Sequence, residues 1–169
     1  MSLNSIPIDE MGRFAGYASV FNQVDQGGDI VMPGAFKKSL MQKNKQDIRL
    51  LFQHDPKEPV GIWEQVQEDG FGLWVRGRLL PGIERADALK KLIIGGALDG
   101  LSIGFKTQRA KKDRVTGFRH LYQVKLWEIS IVTFPMMEGA RIKPSATNQE
   151  GDVSLVRSLD AAISLLRNQ

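Results

Sequence analysis

The chain has 169 residues, of which 42% are hydrophobic and 25% charged, as is typical of a globular protein. A chain of about this length buries roughly two thirds of its unfolded surface, so we expect one domain rather than two. It contains no cysteine and only two histidines, His54 and His120. Disulfide scaffolds, thiolate metal sites and cysteine nucleophiles are therefore excluded, and a histidine-rich metal site is disfavoured.

The net charge of +4 does not by itself indicate nucleic-acid binding, because the basic residues are scattered along the chain. The densest cluster, residues 109–114, is interrupted by an aspartate, and we interpret it as a solvated hairpin loop. No run approaches the roughly 18 apolar residues of a membrane span, and residues 1–12 lack the order of a signal peptide. We therefore expect a soluble cytosolic protein that binds neither nucleic acid nor membranes.

The first half of the chain has the pattern of short strands with one helix. Aromatic and small residues predict a strand at residues 13–21, and Gly27-Gly28 indicates a turn within residues 22–29. Pro33 at the first turn and the apolar residues after it predict a short helix over residues 33–41. A meander of three further strands is predicted at residues 48–54, 60–66 and 71–79.

The second half begins with a predicted helix over residues 84–94, which Gly95-Gly96 ends. Two strands, residues 101–106 and 119–134, flank the basic loop. The chain then becomes polar. We assign residues 1–142 to one domain, residues 143–152 to a linker and residues 153–169 to an amphipathic C-terminal helix.

Residues 100–104 read Gly-Leu-Ser-Ile-Gly and fit the pattern of a serine hydrolase's nucleophile elbow. An elbow leads from a strand into a helix, and its histidine follows the serine in the chain. The residues after Gly104 have no apolar helical face, and the only later histidine, His120, lies in a predicted strand, so we reject the elbow. On a strand, Ser102 shares its face with two glycines that leave room for a substrate backbone. The alternative is a small serine in a crowded sheet.

Strand alternation places His54 at the end of an apolar row that includes Leu50 and Phe52. A neutral, partly desolvated imidazole there suits a general base for a serine hydroxyl. The alternative is a core-edge histidine that is hydrogen-bonded to the backbone.

Alternation also places Glu128 on one side of its strand with Tyr122, Val124, Leu126, Ser130 and Val132. An unpaired buried carboxylate costs several kcal/mol, so we expect a donor beside it. A histidine N–H would serve, as in a catalytic triad. An arginine is the alternative, with three candidates: Arg76, Arg78 and Arg141.

Five blocks of sequence, in this order, resemble the prohead (procapsid maturation) serine proteases of tailed bacteriophages. They are GYASVF at 16–21, GDIVMPGAF at 28–36, LFQHD at 51–55, LDGLSIGF at 98–105 and LWEISIVTFP at 126–135. The resemblance covers residues 14–142. It implies a mainly β (α+β) fold, a compact closed β-barrel of six to seven strands surrounded by a few helices, similar to the herpesvirus assemblin proteases.

The same resemblance implies residue roles. Ser102 matches the nucleophile, His54 the general base on a neighbouring strand, and Glu128 the third catalytic position. Asp55 and Asp99 lie beside the other two sites and compete for that third role. The implied reaction is peptide-bond hydrolysis through an acyl-enzyme, without a metal or cofactor.

The implied substrates are the protease itself and scaffold segments of the phage major capsid protein. Such an enzyme works in the host bacterial cytoplasm, inside the assembling prohead. A homo-oligomer is compatible with the resemblance, which does not fix the oligomeric state. Residues 141–169 would be a scaffold-docking segment that self-cleavage removes, or an ordinary packed helix. The competing interpretations are a non-catalytic capsid-assembly barrel and a basic nucleic-acid-binding barrel.

Overall fold

The computed structural model describes residues 7–143, where strands form most of the regular structure. The strands are β1 (Arg13–Val20), β2 (Asp29–Val31), β3 (Arg49–Phe52), β4 (Asp55–Glu68), β5 (Gly72–Leu79), β6 (Gly100–Lys112), β7 (Arg119–Val132) and β8 (Ile142–Lys143). The helices are α1 (Lys37–Gln42) and α2 (Glu84–Ile94), with a 3-10 turn at Lys45–Asp47. None of the helices within this range is long and apolar enough to cross a bilayer.

Strand β7 is the centre of the sheet. Strand β6 pairs antiparallel with it along one edge, while β2 and β3 pair parallel with the two ends of its other edge. From β3 the sheet continues through β4, β5 and β1 to β8. Strand β7 therefore lies between β3 and β6, which are far apart in the sequence.

The sheet curls strongly, and its ends meet only through a short segment. Strand β8 pairs with β1 at Gly16. The residues just before it, 140 and 141, contact β6 at Leu101 and Gly100. Beyond Leu101 that edge of β6 pairs with no strand in residues 7–143. The sheet is thus slightly less closed than the predicted barrel. The mainly β class is confirmed.

The hydrophobic core fills the inside of the curled sheet. Phe36, Leu126 and Ile129 are completely buried, and the Trp63 ring packs edge-on against Phe14 with centroids 5.7 Å apart. Helix α2 has the predicted bounds and covers the core with three buried side chains, Ala86, Leu89 and Ile93. These aromatic and branched side chains supply most of the apolar area that stabilises the fold.

Helix α1 begins at Lys37 rather than at the predicted residue 33. Gly34 has φ = 89°, which is incompatible with a right-handed helix. The Glu68 carboxylate, from the end of β4, accepts hydrogen bonds from the backbone N–H groups of Gly34 and Phe36. A tertiary contact therefore holds residues 33–36 as a turn.

Other element bounds also differ from the predictions. Strand β2 begins at the end of the predicted turn, where a parallel partner in β7 stabilises it. Strand β6 extends to Lys112, so only residues 113–118 form the loop that was expected to span the basic cluster. Strand β8 occupies the start of the predicted linker. The remainder of that linker and the predicted helix 153–169 lie outside the described residues.

The closure of the sheet depends on a glycine. A Cβ at residue 16 would overlap the Arg141 carbonyl, so the pairing of β1 with β8 would have to shift. We expect Gly16→Ala to lower the free energy of unfolding by about 1–3 kcal/mol, as overpacking does. Thermal and urea denaturation would measure this loss of stability. Gly70→Ala is the control, because no atom lies within 4 Å of that Cβ position. Equal destabilisation by both variants would contradict the role given to Gly16.

Candidate active site

Ser102 lies near the start of β6, at the point where the sheet stops closing. It is 5% exposed, and its direct partner across the β6–β7 pair is Ser130. Directly opposed residues point to the same face of a sheet, so the two hydroxyls share one face. Within residues 7–143, Ser102 Oγ has no hydrogen-bond partner, which leaves it available to another group.

His54 lies in a two-residue turn between β3 and β4 and not in a strand, so it does not continue the apolar row of Leu50 and Phe52 as predicted. Gln53 and His54 both have positive φ, 54° and 59°, as a type I′ hairpin turn requires. Strand β3 is not adjacent to β6 either, because β7 lies between them. The expectation that the histidine and serine lie on neighbouring strands is therefore wrong.

Hydrogen bonds to β7 and the residue after it hold this turn in place. The backbone N–H of Gln53 donates to the Ile131 carbonyl at 3.0 Å, and its side-chain amide donates to Thr133 Oγ1 at 2.7 Å. The backbone N–H of His54 donates to Ser130 Oγ at 3.1 Å. Non-glycine residues adopt positive φ at a cost, and these contacts offset it.

The structure brings His54 and Glu128 together. The imidazole Nδ1 lies 2.6 Å from Oε1 of Glu128, and Oε2 accepts a hydrogen bond from Ser130 Oγ at 2.6 Å. Ser130 also binds the His54 backbone, so the three residues form a closed set of hydrogen bonds. The Glu128 side chain is 13% exposed and the His54 side chain 42% exposed. The carboxylate thus fixes the ring from the buried side.

The hydrogen bond that the ring donates to Glu128 raises the pKa of His54 above its usual 6.5. Partial burial of the ring acts in the opposite direction, and the negative charge of Glu128 raises the pKa further. When the ring is neutral and Nδ1–H donates to Glu128, Nε2 carries the lone pair. The arrangement therefore presents a basic nitrogen on the more exposed side of the ring.

A bulge in β7 decides where Glu128 points. Gly104 pairs with Glu128 but the next residue of β6 pairs with Leu126, which leaves Trp127 as the extra residue. Leu126 and Ile129 are completely buried, whereas Trp127 is 52% exposed. Leu126 and Glu128 thus lie on opposite faces, so the predicted row is broken at the bulge, while Ser130 and Val132 still share the face of Glu128.

Helix α1 supports this bulge from the side. In the gap between β2 and β3, the Leu126 N–H donates to Ser39 Oγ at 2.9 Å. The Lys43 ammonium donates to the Leu126 carbonyl at 2.9 Å. Ser39 is 4% exposed, so this contact lies inside the protein. Ser39 in the helix and Lys43, the residue after its end, therefore bind the backbone of the residue before the bulge, where β2 and β3 leave that edge of β7 unpaired.

The two glycines beside Ser102 do not leave open space as expected. A Cβ at Gly104 would overlap the Glu128 carboxylate, and a Cβ at Gly100 would overlap the Val132 carbonyl. Gly104 therefore makes room for the carboxylate, and Gly100 lets β7 approach.

The other candidate acids and cations contact residues outside the His54–Glu128 pair. Asp55 accepts a hydrogen bond from the Lys57 N–H, and Asp99 pairs with Arg141 at 2.5 Å. Arg78 pairs with Glu64, while the Arg76 guanidinium lies over the Trp74 ring. Among the candidates raised from the sequence, His54 is the residue that meets Glu128.

Ser102 is one of the residues that line a pocket of about 150 Å³. Its apolar walls come from Ala18, Val31, Leu101, Ile103, Phe105, Met136 and Met137. Two acids also line it: Asp29, which is paired with Arg119 by two hydrogen bonds, and Asp25.

The family model described as Caudovirus prohead serine protease matches residues 3–152 of the chain. The chain belongs to this family. A prohead protease of Enterobacteria phage HK97 is 42% identical over 139 residues, covering 79% of the chain and 60% of the HK97 protein. The chain therefore spans about three fifths of that relative's length. A prohead protease of Escherichia phage T5 is 27% identical over 162 residues, covering 94% of the chain and 70% of the T5 protein.

Solved structures support the same fold for this prohead protease family member. The bacteriophage T4 capsid assembly protease superposes with a TM-score of 0.60 at 18% identity, covering 73% of the chain and 82% of the T4 protein. The Kaposi's sarcoma herpesvirus (KSHV) protease, solved with a hexapeptide phosphonate inhibitor, gives 0.55 at 14% identity, covering 88% and 76%. The predicted likeness to herpesvirus proteases is confirmed at the level of the fold.

Sequence reasoning missed the roles of three residues of this family member's candidate site, Ser130, Gly104 and Gln53. Ser130 lies two positions after Glu128 on the same face of β7, a spacing that signals proximity. Gly104 was noted only as free space beside the serine. Gln53 was also missed, and no local pattern indicates its role, because its partners come from β7 and Thr133.

The titration of His54 tests the hydrogen bond to Glu128. We expect Glu128→Gln to lower the pKa of His54, because the neutral amide no longer stabilises the imidazolium. NMR of the imidazole protons across a pH series would measure the change. Glu58→Gln, which removes the same charge from an ion pair with Arg85, serves as the control. Identical His54 titration in wild type and Glu128→Gln would contradict the contact.

Proposed function

We propose that the chain is a serine endopeptidase in which Ser102 is the nucleophile, His54 the general base and Glu128 the residue that orients His54. The observation that carries this proposal is the 2.6 Å contact between the Glu128 carboxylate and Nδ1 of His54. It selects the tautomer whose Nε2 can accept a proton from a serine hydroxyl. The shared face of Ser102 and Ser130 supports the choice of serine.

In the proposed reaction, His54 Nε2 takes the Ser102 proton as Oγ bonds to the substrate carbonyl carbon. The imidazolium then gives that proton to the departing amine as the C–N bond breaks, which leaves an acyl-serine. A water molecule, deprotonated by the same nitrogen, then bonds to the ester carbon as the C–Oγ bond breaks. The imidazolium returns its proton to Ser102 Oγ, which frees the acid product and restores the serine. Glu128 stabilises the imidazolium at both stages without itself taking the proton.

The proximity of Ser102 to His54 is supported through Ser130. Directly opposed residues of an antiparallel pair have Cα atoms about 4.5–5.5 Å apart. Ser130 is paired in this way with Ser102 and also binds the His54 backbone. The hydrogen bond between a catalytic serine and histidine often tightens only when substrate binds.

The unpaired edge of β6 supports a polypeptide substrate. An extended peptide can add to an exposed edge as a further strand, with its backbone held by ladder hydrogen bonds. The apolar pocket beside Ser102 would then take one substrate side chain. Such binding would bring a backbone carbonyl to the serine.

The biological substrates are inferred from the relatives. The HK97 and T5 proteins are prohead proteases, and the T4 structure is that of a capsid assembly protease. We infer that this chain cleaves phage capsid protein, scaffold segments and itself, inside the assembling prohead in the host cytoplasm. The intact contacts of His54, Glu128 and Ser130 favour this activity over a non-catalytic assembly role.

A serine-directed peptidyl phosphonate tests the nucleophile. We expect the wild type to form one covalent adduct and to shorten with time by self-cleavage, whereas Ser102→Ala does neither. Intact-mass spectrometry would follow both changes and identify the cleavage site. Ser130→Ala should still be labelled, though more slowly, because it loses a hydrogen bond to Glu128 and not the nucleophile. Equal labelling of Ser102→Ala and wild type would assign the nucleophile elsewhere.

Peptide hydrolysis by variants of Glu128 and Asp99 tests whether Glu128 orients His54. We expect Glu128→Gln to lower kcat by roughly two to four orders of magnitude, since an amide can leave the histidine in the wrong tautomer. Because Glu128 raises the pKa of His54, the acid limb of kcat/KM should move to lower pH in this variant. Asp99→Asn, the matched control, should lower kcat less than about tenfold, because Asp99 pairs with Arg141. Near-normal turnover of Glu128→Gln would exclude it from the third role.

A further inference from the structure

The strands that carry the candidate site continue into a strongly basic hairpin, which we call the basic arm and define as residues 106–125. It contains seven lysines and arginines and one aspartate, a net charge of +6, while the whole chain has +4. The rest of the chain is therefore net negative by two charges. All seven basic side chains belong to exposed residues. Within residues 7–143, Arg119 alone among them forms a salt bridge, with Asp29.

The arm places like charges directly opposite each other. Lys106 pairs with Lys125, and Lys112 pairs with Arg119, across the β6–β7 register. Directly opposed like charges destabilise an antiparallel pair. Asp29 compensates the second pair through Arg119, whereas the first pair has no acidic partner in the described part of the chain. An anionic ligand would relieve that repulsion.

The Lys106–Lys125 pair lies on the catalytic side of the sheet. The preceding pair, Phe105 and Leu126, packs toward the core, so the lysine pair points to the other face, where Ser102 and Glu128 lie. At about 3.4 Å per residue, Lys106 is some 14 Å from Ser102 along the strand. An extended peptide at Ser102 would reach it within about four residues.

We propose that the Lys106–Lys125 pair and the surrounding basic arm bind an acidic segment of the polypeptide substrate that flanks the cleavage site. The inference rests on the proposed function. Charge complementarity, the shared face and the unpaired edge of β6 support this occupant. A single-stranded nucleic acid is less suitable, because the Tyr122 ring already lies against the Arg109 guanidinium and offers no free stacking face on that side.

Peptide binding to the Ser102→Ala chain tests the proposal without requiring hydrolysis. The probes are a fluorescein-labelled peptide of eight glutamates, its eight-glutamine counterpart and a labelled single-stranded DNA of equal charge. Fluorescence anisotropy should show tighter binding of the glutamate peptide than of the glutamine peptide, and the difference should shrink as salt rises. Adding Lys106→Gln and Lys125→Gln should weaken glutamate binding about threefold to tenfold.

The control removes two lysines from elsewhere. Lys37→Gln with Lys38→Gln on exposed positions of α1 makes the same charge change and should leave glutamate binding as it was. Equal loss in both double variants, or no preference for glutamate over glutamine, would overturn the proposal. Tighter binding of the DNA that is lost with Lys106 and Lys125 would also overturn it and assign the arm to nucleic acid.

Hydrolysis then separates this proposal from the proposed function. The self-cleavage sequence found by mass spectrometry would be extended with four glutamates or four glutamines. The lysine double variant should raise KM for the acidic substrate alone and leave kcat for the neutral one unchanged. If no Ser102-dependent cleavage occurs at all, the proposed function fails, while the binding result on the Ser102→Ala chain still decides the role of the arm.

Discussion

The Glu128 carboxylate is mostly buried, and a carboxylate in that position must be paired or it destabilises the fold by several kcal/mol. Its two oxygens accept hydrogen bonds from His54 and Ser130. Strict alternation would instead have directed it toward the core with Leu126, where no such donors lie. The bulge at Trp127 avoids this outcome, so the geometry of one irregular residue decides the chemistry available to the site.

Strand β7 positions every member of the site. Glu128 and Ser130 belong to it, Ser102 pairs with it, and the turn that holds His54 is bonded to it. The positive φ of His54 is tolerated because these contacts over-determine the turn. The positions of the site residues relative to one another therefore depend on short hydrogen bonds to one strand. This arrangement suits a reaction whose rate falls when the reacting groups are slightly displaced.

The sequence allowed the regular elements to be predicted where local patterns are strong. Helix α2 has the predicted bounds because its apolar spacing and glycine stop are local signals. The bulge, the turn at residues 33–36 and strand β8 were missed, since each depends on partners distant in the sequence. For the bulge, these partners are Ser39 on α1 and Lys43, which follows the helix.

The candidate site was predicted in part for the same reason. The need to pair a buried carboxylate predicted either a histidine N–H or an arginine beside Glu128, and the structure has the histidine. The position of His54 was wrong, because a type I′ turn without glycine or asparagine has no local signature. The roles of Ser102, His54 and Glu128 came from the family resemblance and stay proposals.

The incomplete closure of the barrel accounts for the place of the site. Strand β8 and the residues before it cover the edge of β6 as far as Leu101, one residue short of Ser102. Full closure would leave no edge for a substrate backbone, whereas an exposed edge invites pairing with other chains. Proteins often protect such edges with lysines, which would account for Lys106 on β6. Lys125 is on β7, which β6 already covers, so edge protection does not explain why the two lysines face each other. Binding of an anionic partner explains both.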